Sequence, residues 1–528
     1  MAWVAPALFL VSAVGCKGRR AFRMGYLAGL AHYLLSLYWL LLIPAGWYPV
    51  LGWLALAAFL ALFPATWVWL TWKIFPVEIR GDSGSAKILQ LNDCFLKSIW
   101  AQRMLWSMGG AALWVTMEMV LARIFGGFPW NLLGSSQYRM VPLIQIASRT
   151  GIYGVSFLLV WTSLSFLSAG MVILRTPAKR SAWVGEIIIP SLVVAGLYAS
   201  AYTQLLMPKP PQPHFTATLV QPSIPQTVIW DEKENDHRFR ELIQLSEKAL
   251  QEKTTLLIWP EAALPRMIRY DAETFGAISN LAVTHKVWII VGSDDMEPAG
   301  SGNPRDNNYF NSSFLISPRG NLVERYCKRQ LVIFGEYIPL VKWLPFIKYL
   351  TPIDGGFTAG EAATPFHLGD TGIQLSTLIC FEDVFPQLAR EYVTENTDFL
   401  VNITNDGWFG EGAAQWQQGA AAAFRAVENG VPLVRCSNTG LTCLIDANGR
   451  LLQIFKDAKG KIYGPGFLRV EIPLNQPSNH RIRTYYNQHG DVFGVSCAVY
   501  SALLLFRRFR AQATMDESSE SRTSLEKT

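Results

Sequence analysis

The sequence has little charge for its length. Charged residues make up 16% of its 528 positions, against about 25% in a typical soluble domain. Hydrophobic residues make up 50%, Trp occurs 19 times, and the mean hydropathy is +0.20. This composition excludes a disordered chain, a coiled coil and an ordinary soluble enzyme, and it indicates a membrane protein that carries a soluble part.

The sequence also lacks the signatures of several chemistries. It contains no CxxC pair, no HExxH pattern, no P-loop and no GxSxG motif, so no metal site is expected. The seven cysteines are odd in number and irregular in spacing, which argues against a disulfide framework and leaves at least one thiol free. Whether Cys436 and Cys443 pair stays open. The cysteines are Cys16, Cys94, Cys327, Cys380, Cys436, Cys443 and Cys497.

Long apolar runs are plentiful. A bilayer-spanning helix needs about 20 mainly apolar residues, and about seven segments qualify as candidates, the first and last being short. Pro64 is expected to kink the third of them. The candidates are residues 2–16, 24–44, 51–72, 104–125, 152–174, 183–205 and 492–506. Within the fourth, Glu118 is either functional or paired with Arg123 near the helix end.

The net charge of +6 fits membrane topology better than a nucleic-acid surface, because the basic residues cluster beside the apolar runs. Basic loops stay cytoplasmic, and the clusters lie at residues 17–23, 73–103, 175–180 and 507–510. They alternate correctly only if the N-terminus and the long segment 206–485 are outside. We therefore expect the large domain to lie on the outer face of the inner membrane, and we expect no nucleic-acid partner.

The soluble segment begins after a proline-rich linker at residues 208–213 and alternates short apolar strands with helices. That alternation is typical of an α/β sandwich. The predicted fold is a multi-span α-helical membrane domain plus an extracytoplasmic α/β domain. The predicted domains are a transmembrane helical domain at 1–206, a catalytic domain at 214–475, a transmembrane helix at 488–507 and a disordered cytoplasmic tail at 508–528.

Three predicted strands end in a polar, reactive residue, namely Glu261, Lys328 and Cys380. Strand ends are where α/β folds place reactive groups, because the sheet is rigid and its edge is open. A thiol is a strong nucleophile once it is deprotonated, and a nearby buried carboxylate can take its proton. A lysine ammonium can stabilise an oxyanion.

The motifs around these residues resemble the signatures of the carbon–nitrogen hydrolase (nitrilase) superfamily, which implies an α-β-β-α sandwich. Segments 127–130, 221–226 and 402–410 extend the resemblance to the apolipoprotein N-acyltransferase family. The motifs are Trp259-Pro260-Glu261, Tyr326-Cys327-Lys328, Phe334-Gly335-Glu336-Tyr337-Ile338-Pro339 and Ile379-Cys380-Phe381-Glu382.

The resemblance implies a role for each matched residue. Cys380 becomes the nucleophile, Glu261 the general base and Lys328 the oxyanion stabiliser, with Glu336 and Glu382 as supporting carboxylates. Four further residues match substrate-binding positions, although core packing is an equally open reading of the aromatic ones. These are Trp230, Asn405, Trp408 and Phe409. One departure is Phe381, where the family often has Tyr.

The implied activity transfers a fatty acyl chain from a phospholipid, through a Cys380 thioester, to the α-amine of a diacylglyceryl-modified lipoprotein. It needs no cofactor, and the protein would be a monomer in contact with membrane lipid. Apolar residues 343–357 form either a mobile arm or a packed loop. Two alternatives remain: a membrane-anchored nitrilase or amidase that hydrolyses a small amide, and a transporter or lipid-binding protein with a non-catalytic domain.

Overall fold

The structure is a computed structural model, and it describes most of the chain. The residues outside the description are 15, 17, 77–94, 209–211, 230, 300–306, 340, 342, 345, 347, 348, 350–355, 475–482 and 526–528.

The N-terminal part and the C-terminus of the chain are helical. In chain order the α-helices are α1 Ala5–Ser12, α2 Arg19–Ser36, α3 Tyr48–Leu60, α4 Leu62–Lys73, α5 Trp100–Leu121, α6 Val141–Ile144, α7 Ala147–Thr150, α8 Ile152–Ile173, α9 Val184–Leu206, α10 Asn235–Ala249, α11 Ala272–His285, α12 Pro386–Glu391, α13 Ala414–Asn429, α14 Tyr485–His489 and α15 Val492–Leu525.

Five helical segments of the described chain are long and apolar enough to cross a membrane. They are Tyr48–Lys73, Trp100–Leu121, Ile152–Ile173, Val184–Leu206 and Val492–Arg510. They correspond to the last five predicted spans. The first two predicted spans differ: residues 2–16 contain only the eight-residue α1. Residues 24–44 hold part of α2, which begins at Arg19 and gives way to a 3-10 helix at Tyr38–Leu42.

Three details of the helical part follow from local chemistry. The third span breaks between α3 and α4 at Ala61, just before Pro64, as expected for a residue that has no backbone N–H to donate. Glu118 does not pair with Arg123: it accepts hydrogen bonds from Trp114 and the Leu133 amide, whereas Arg123 pairs with Asp491. Helix α15 continues to Leu525, into the segment predicted to be a disordered tail. No Gly or Pro interrupts residues 511–525.

Among the residues that the structure describes, the α/β part has twelve strands in two six-stranded sheets. The first sheet has the order β12-β1-β2-β3-β4-β5 and the second β11-β10-β9-β8-β7-β6. The strands are β1 His214–Gln221, β2 Leu256–Ile258, β3 Trp288–Glu297, β4 Asn308–Ile316, β5 Leu322–Cys327, β6 Pro365–Leu368, β7 Ile373–Ile379, β8 Phe399–Thr404, β9 Leu433–Ser437, β10 Cys443–Ile445, β11 Leu451–Ile454 and β12 Gly466–Pro473.

The two sheets face each other and share one apolar core, in which Leu219 and Ile290 of the first sheet meet Leu378 and Val434 of the second. Helices α10 and α11 cover the outer face of the first sheet, and α12 and α13 cover the second. The layers are therefore α-β-β-α, as the sequence predicts. Strands β1, β2 and β3 run parallel, as do β7, β8 and β9. Glu261 lies three residues after the end of β2, and Cys380 lies directly after the end of β7.

Candidate active site

Cys380 follows β7 directly and begins a 3-10 helix that runs to Val384. Its φ of 52° lies in the left-handed region, which non-glycine residues adopt at a cost of about 1–3 kcal/mol when the surroundings hold them there. The surroundings here are specific: the side-chain amides of Asn402 and Gln418 both donate to the carbonyl of Cys380, at 3.0 and 2.9 Å. The strained turn thus fixes the half-buried thiol at the sheet edge.

A fully buried charge network lies beneath this turn. Arg435 on β9 donates to Asp383 at 2.7 Å and to Asp406 at 2.8 Å. It also donates to Asn402 and Gln418, the two residues that hold the Cys380 carbonyl. A buried arginine requires such pairing, since an unpaired buried charge is very costly. Arg435 therefore locks the residues that hold the turn.

Glu261 and Lys328 meet beside the thiol. Lys328 Nζ lies 2.7 Å from Glu336 Oε1 and 3.6 Å from Glu261 Oε1, and both Glu261 and Lys328 interact electrostatically with the Cys380 thiol. Gly292 lets the loop that carries Glu261 pack against β3, because a Cβ there would lie 2.3 Å from the Pro260 carbonyl oxygen.

Asn311 on β4 joins the two carboxylates. Its Nδ2 donates to Glu261 Oε1 at 2.7 Å and to Glu336 Oε1 at 3.2 Å. Its backbone carbonyl also accepts from the Lys328 amide at 2.8 Å. One buried amide side chain therefore sets the spacing of the two carboxylates that face the lysine.

Burial dominates the protonation of these groups. Burial raises the pKa of Glu261, and Glu336 raises it further, whereas Lys328 lowers it. Burial also raises the pKa of the Cys380 thiol, with Glu261 adding to the effect and Lys328 opposing it. Burial alone would lower the pKa of Lys328, but Glu336, Cys380 and Glu261 together raise it. The resting site holds a neutral thiol and a charged lysine, with a carboxylate that is readier than usual to hold a proton.

Glu382 occupies a different position from the other carboxylates. It accepts hydrogen bonds from the amides of Ile379, Arg329 and Gln330 at 2.7–3.0 Å and from the hydroxyl of Tyr326 at 2.7 Å. These donors flank Cys380 on one side and Lys328 on the other. Glu382 therefore ties the nucleophile loop to the lysine loop without touching the lysine itself.

An aromatic cluster connects Cys380 to the helical part of the chain. The Phe381 ring stacks at 6.0 Å on Trp130, and Trp39 contacts Phe409 edge-on at 4.7 Å. Gln417 accepts from the indole N–H groups of both Trp130 and Trp39 and donates to the Ser36 carbonyl. The segment around Trp39 and the segment around Trp130 thus form one wall beside the residue that follows the nucleophile.

The three remaining predicted substrate-binding residues differ in their burial and in whether the structure describes them. Asn405 is buried and bonded to Gln226, Gly407 and Asn438, so its described contacts are with protein. Trp408 is half-buried in the 3-10 helix Asp406–Phe409. Trp230 lies outside the described residues.

The predicted arm is described only in part. Three of its described side chains are strongly exposed, namely Trp343 by 84%, Phe346 by 60% and Tyr349 by 69%, whereas Phe357 is half-buried. Large apolar side chains in such positions are typical of surfaces that meet a membrane or a partner.

Sequence reasoning missed Asn311 and Arg435 because both lie inside strands, where a polar residue has no local signature. A polar or charged residue within an otherwise apolar strand is the signal that could have found them. Cys436 and Cys443 are free and buried. Among the described residues no group of His, Cys, Asp and Glu side chains could hold a metal ion.

The comparisons with known proteins agree with this architecture. Residues 216–463 match the family model described as carbon-nitrogen hydrolase, and residues 1–165 match the one described as apolipoprotein N-acyltransferase N-terminal domain. A solved amidase of the nitrilase superfamily from Nesterenkonia is 19% identical, with a TM-score of 0.38 over 53% of this chain and 95% of that chain. The carbon-nitrogen hydrolase match gives residues 216–463 a nitrilase-like class.

Similar curated proteins identify the family within this class. An apolipoprotein N-acyltransferase from Geobacter metallireducens is 33% identical over 525 residues, covering 97% of this chain and 92% of that protein. Another from Rickettsia typhi is 30% identical and covers 85% of this chain and 84% of that protein. The chain belongs to the apolipoprotein N-acyltransferase family. Together with the five long apolar helices among its described residues, this makes it a membrane acyltransferase.

Proposed function

We propose that this enzyme transfers an acyl chain from a phospholipid to the α-amino group of a diacylglyceryl-modified lipoprotein by way of a thioester on Cys380. The observation that carries the proposal is the ion pair of Lys328 with Glu261, together with the electrostatic interaction of both groups with the Cys380 thiol. It is the arrangement that nucleophilic acyl transfer requires.

In the first half-reaction Glu261 takes the thiol proton while sulfur attacks the ester carbonyl of the phospholipid. The ammonium of Lys328 donates to the oxyanion as it forms. The carbon–oxygen bond then breaks, and the proton held by Glu261 passes to the leaving lysophospholipid oxygen. The raised pKa of Glu261 suits a group that both takes and returns a proton.

In the second half-reaction the α-amine of the acceptor attacks the thioester. The carbon–nitrogen bond forms and the carbon–sulfur bond breaks, while Glu261 takes a proton from the attacking nitrogen and passes it to the sulfur of Cys380. Amide formation from a thioester is downhill, so no nucleotide is required. Water must be kept from the thioester, and the aromatic cluster of Phe381, Trp130, Trp39 and Phe409 supports a dry route for an acyl chain.

The membrane arrangement is part of the same proposal. The charge rule supports a bacterial inner-membrane protein whose residues 214–475 lie in the periplasm and whose residues 508–528 lie in the cytoplasm. The catalytic part would then meet the outer leaflet, where a diacylglyceryl anchor also lies. We propose Glu336 and Glu382 as positioning residues and Phe409 and Trp408 as contacts of the acyl chain.

A transfer assay tests the function. The full chain in detergent is incubated with phospholipid and a synthetic peptide that begins with S-diacylglyceryl-cysteine. We expect an N-acylated peptide and an equal amount of lysophospholipid, both abolished by Cys380→Ala. Release of free fatty acid with an unmodified peptide, or hydrolysis of small amides by the wild type, would favour the amidase alternative. Binding of lipid without turnover would favour a lipid-binding protein.

A further inference from the structure

Asp294 is an acidic residue of the site that the mechanism above does not use. It lies on β3, directly opposite Asn311 on the antiparallel strand β4, and residues in that relation have Cβ atoms about 4.5–5.5 Å apart on one face of the sheet. Gly292, on the same face, packs against the backbone of Glu261. The next residue, Asp295, faces the other way and binds Arg269 and Arg325.

Asp294 and its neighbour Asn311 present hydrogen-bond acceptors to which no described residue donates. Its carboxylate has no hydrogen bond or ion pair with any residue that the structure describes. Asn311 is 5% exposed, and its Oδ1 is buried with no partner in the described part of the chain. The amide orientation follows from its contacts, because Nδ2 must face the carboxylates of Glu261 and Glu336. A buried acceptor of this kind normally has a donor.

The charges around Asp294 also favour the binding of a cationic hydrogen-bond donor. Asp294 interacts with Glu261 and Glu336, and burial together with these two carboxylates raises its pKa to about 7. The ammonium of Lys328 is paired with two of these three carboxylates, Glu261 and Glu336. When Cys380 is acylated and the other groups are ionised, the site carries an excess of two negative charges, which attracts a cation.

We propose that Asp294 and the Oδ1 of Asn311 form the subsite that receives the α-ammonium group of the acceptor. This inference rests on the proposed function. An α-amine is largely protonated at neutral pH, so the acceptor arrives as a cation with three N–H donors and must lose a proton before it can attack. An enzyme that delivers water to the same thioester needs no such site.

The transfer step balances as follows. One ammonium proton passes to the Asp294 carboxylate, which is half-buried and can release it to solvent. The neutral nitrogen then attacks the thioester carbonyl, and the carbon–nitrogen bond forms as the carbon–sulfur bond breaks. The second proton passes through Glu261 to the sulfur of Cys380. The products are the amide, the free thiol and one proton in solution.

The test separates the acceptor from a neutral nucleophile. The full-length enzyme is loaded with acyl chain from phospholipid, and decay of the Cys380 thioester is followed against the concentration of the diacylglyceryl-cysteine peptide or of hydroxylamine, which is uncharged at neutral pH. We expect Asp294→Asn to raise the half-saturating peptide concentration about 10- to 100-fold, as for loss of one charge-assisted hydrogen bond. Cleavage by hydroxylamine should change far less.

The matched control is Glu297→Gln, which removes a carboxylate from the same strand but on the opposite face, where it binds Arg325. It should leave both reactions unchanged. Equal loss with peptide and hydroxylamine, or no change with either, would contradict the ammonium subsite. Failure of the wild-type enzyme to form any thioester would instead contradict the proposed function. A melting temperature for Asp294→Asn shows whether the variant is folded.

Discussion

Lys328 Nζ lies 2.7 Å from Glu336 Oε1, closer than it lies to the general-base candidate. Glu336 therefore holds the ammonium away from Glu261. In Glu336→Gln the ammonium is drawn to Glu261, which lowers the basicity of that carboxylate. We expect thioester formation to fall about 10- to 100-fold, part of the 10²–10⁴ that a positioned base supplies. Single-turnover release of lysophospholipid measures it, with the exposed Glu361→Gln as control.

Glu382 should be needed for stability as well as rate. Its two oxygens accept from three backbone amides and one hydroxyl, so Glu382→Gln turns an NH₂ group toward a buried donor. Each unsatisfied group costs about 1–3 kcal/mol. We expect a lower melting temperature and slower thioester formation. Tyr392→Phe removes hydroxyl contacts with Tyr326 and Arg329 but leaves the donors to Glu382 in place, so it should have the smaller effect. Equal effects of the two variants would contradict this role.

The pH dependence of thioester formation should reflect Glu261. Only the ionised carboxylate can take the thiol proton, and burial raises its pKa above the ordinary value of 4.5. The rate should therefore fall as pH drops through that raised pKa, and Glu261→Gln should abolish this acidic limb along with most of the rate.

The pKa of Cys380 is raised as well, so alkylation by iodoacetamide should be slow at neutral pH and speed up as pH rises. Rapid alkylation near pH 6 would contradict the account.

The ring of Phe381 should matter more than the hydroxyl that it lacks. The ring is 8% exposed and packs against Trp130, Phe128 and Phe385. Truncating a buried Phe to Ala costs about 3–5 kcal/mol, and here the cavity would adjoin the strained turn at Cys380. We expect Phe381→Ala to lose most thioester formation and Phe381→Tyr to retain it. A reversed order in the same assay would contradict the packing argument.

The sequence predicts the parts of the molecule that have local signatures. The buried runs of β1, β2, β7 and β8 are short apolar segments, and the reactive residues stand directly after such runs. The long helices α10 and α13 carry comparable local signatures, because one is amphipathic and the other alanine-rich. Edge strand β12 differs, because its place in the sheet depends on pairing with β1, which is distant in the sequence.

The contacts of the site depend on register, which a single sequence does not reveal. Asp294 meets Asn311 only because β3 and β4 pair as they do. Arg435 reaches Asp383 and Asp406 from another strand. The resemblance assigned Asn405 to the substrate, whereas its described bonds are all to protein.

The most direct test of the central claim is peptide mass spectrometry of the purified enzyme after incubation with phospholipid alone. We expect an acyl adduct on Cys380 that is removed by hydroxylamine and missing from Cys380→Ser after the same treatment, with lysophospholipid released in equal amount. An unmodified Cys380 in wild-type enzyme that nevertheless acylates the acceptor peptide would contradict the thioester route.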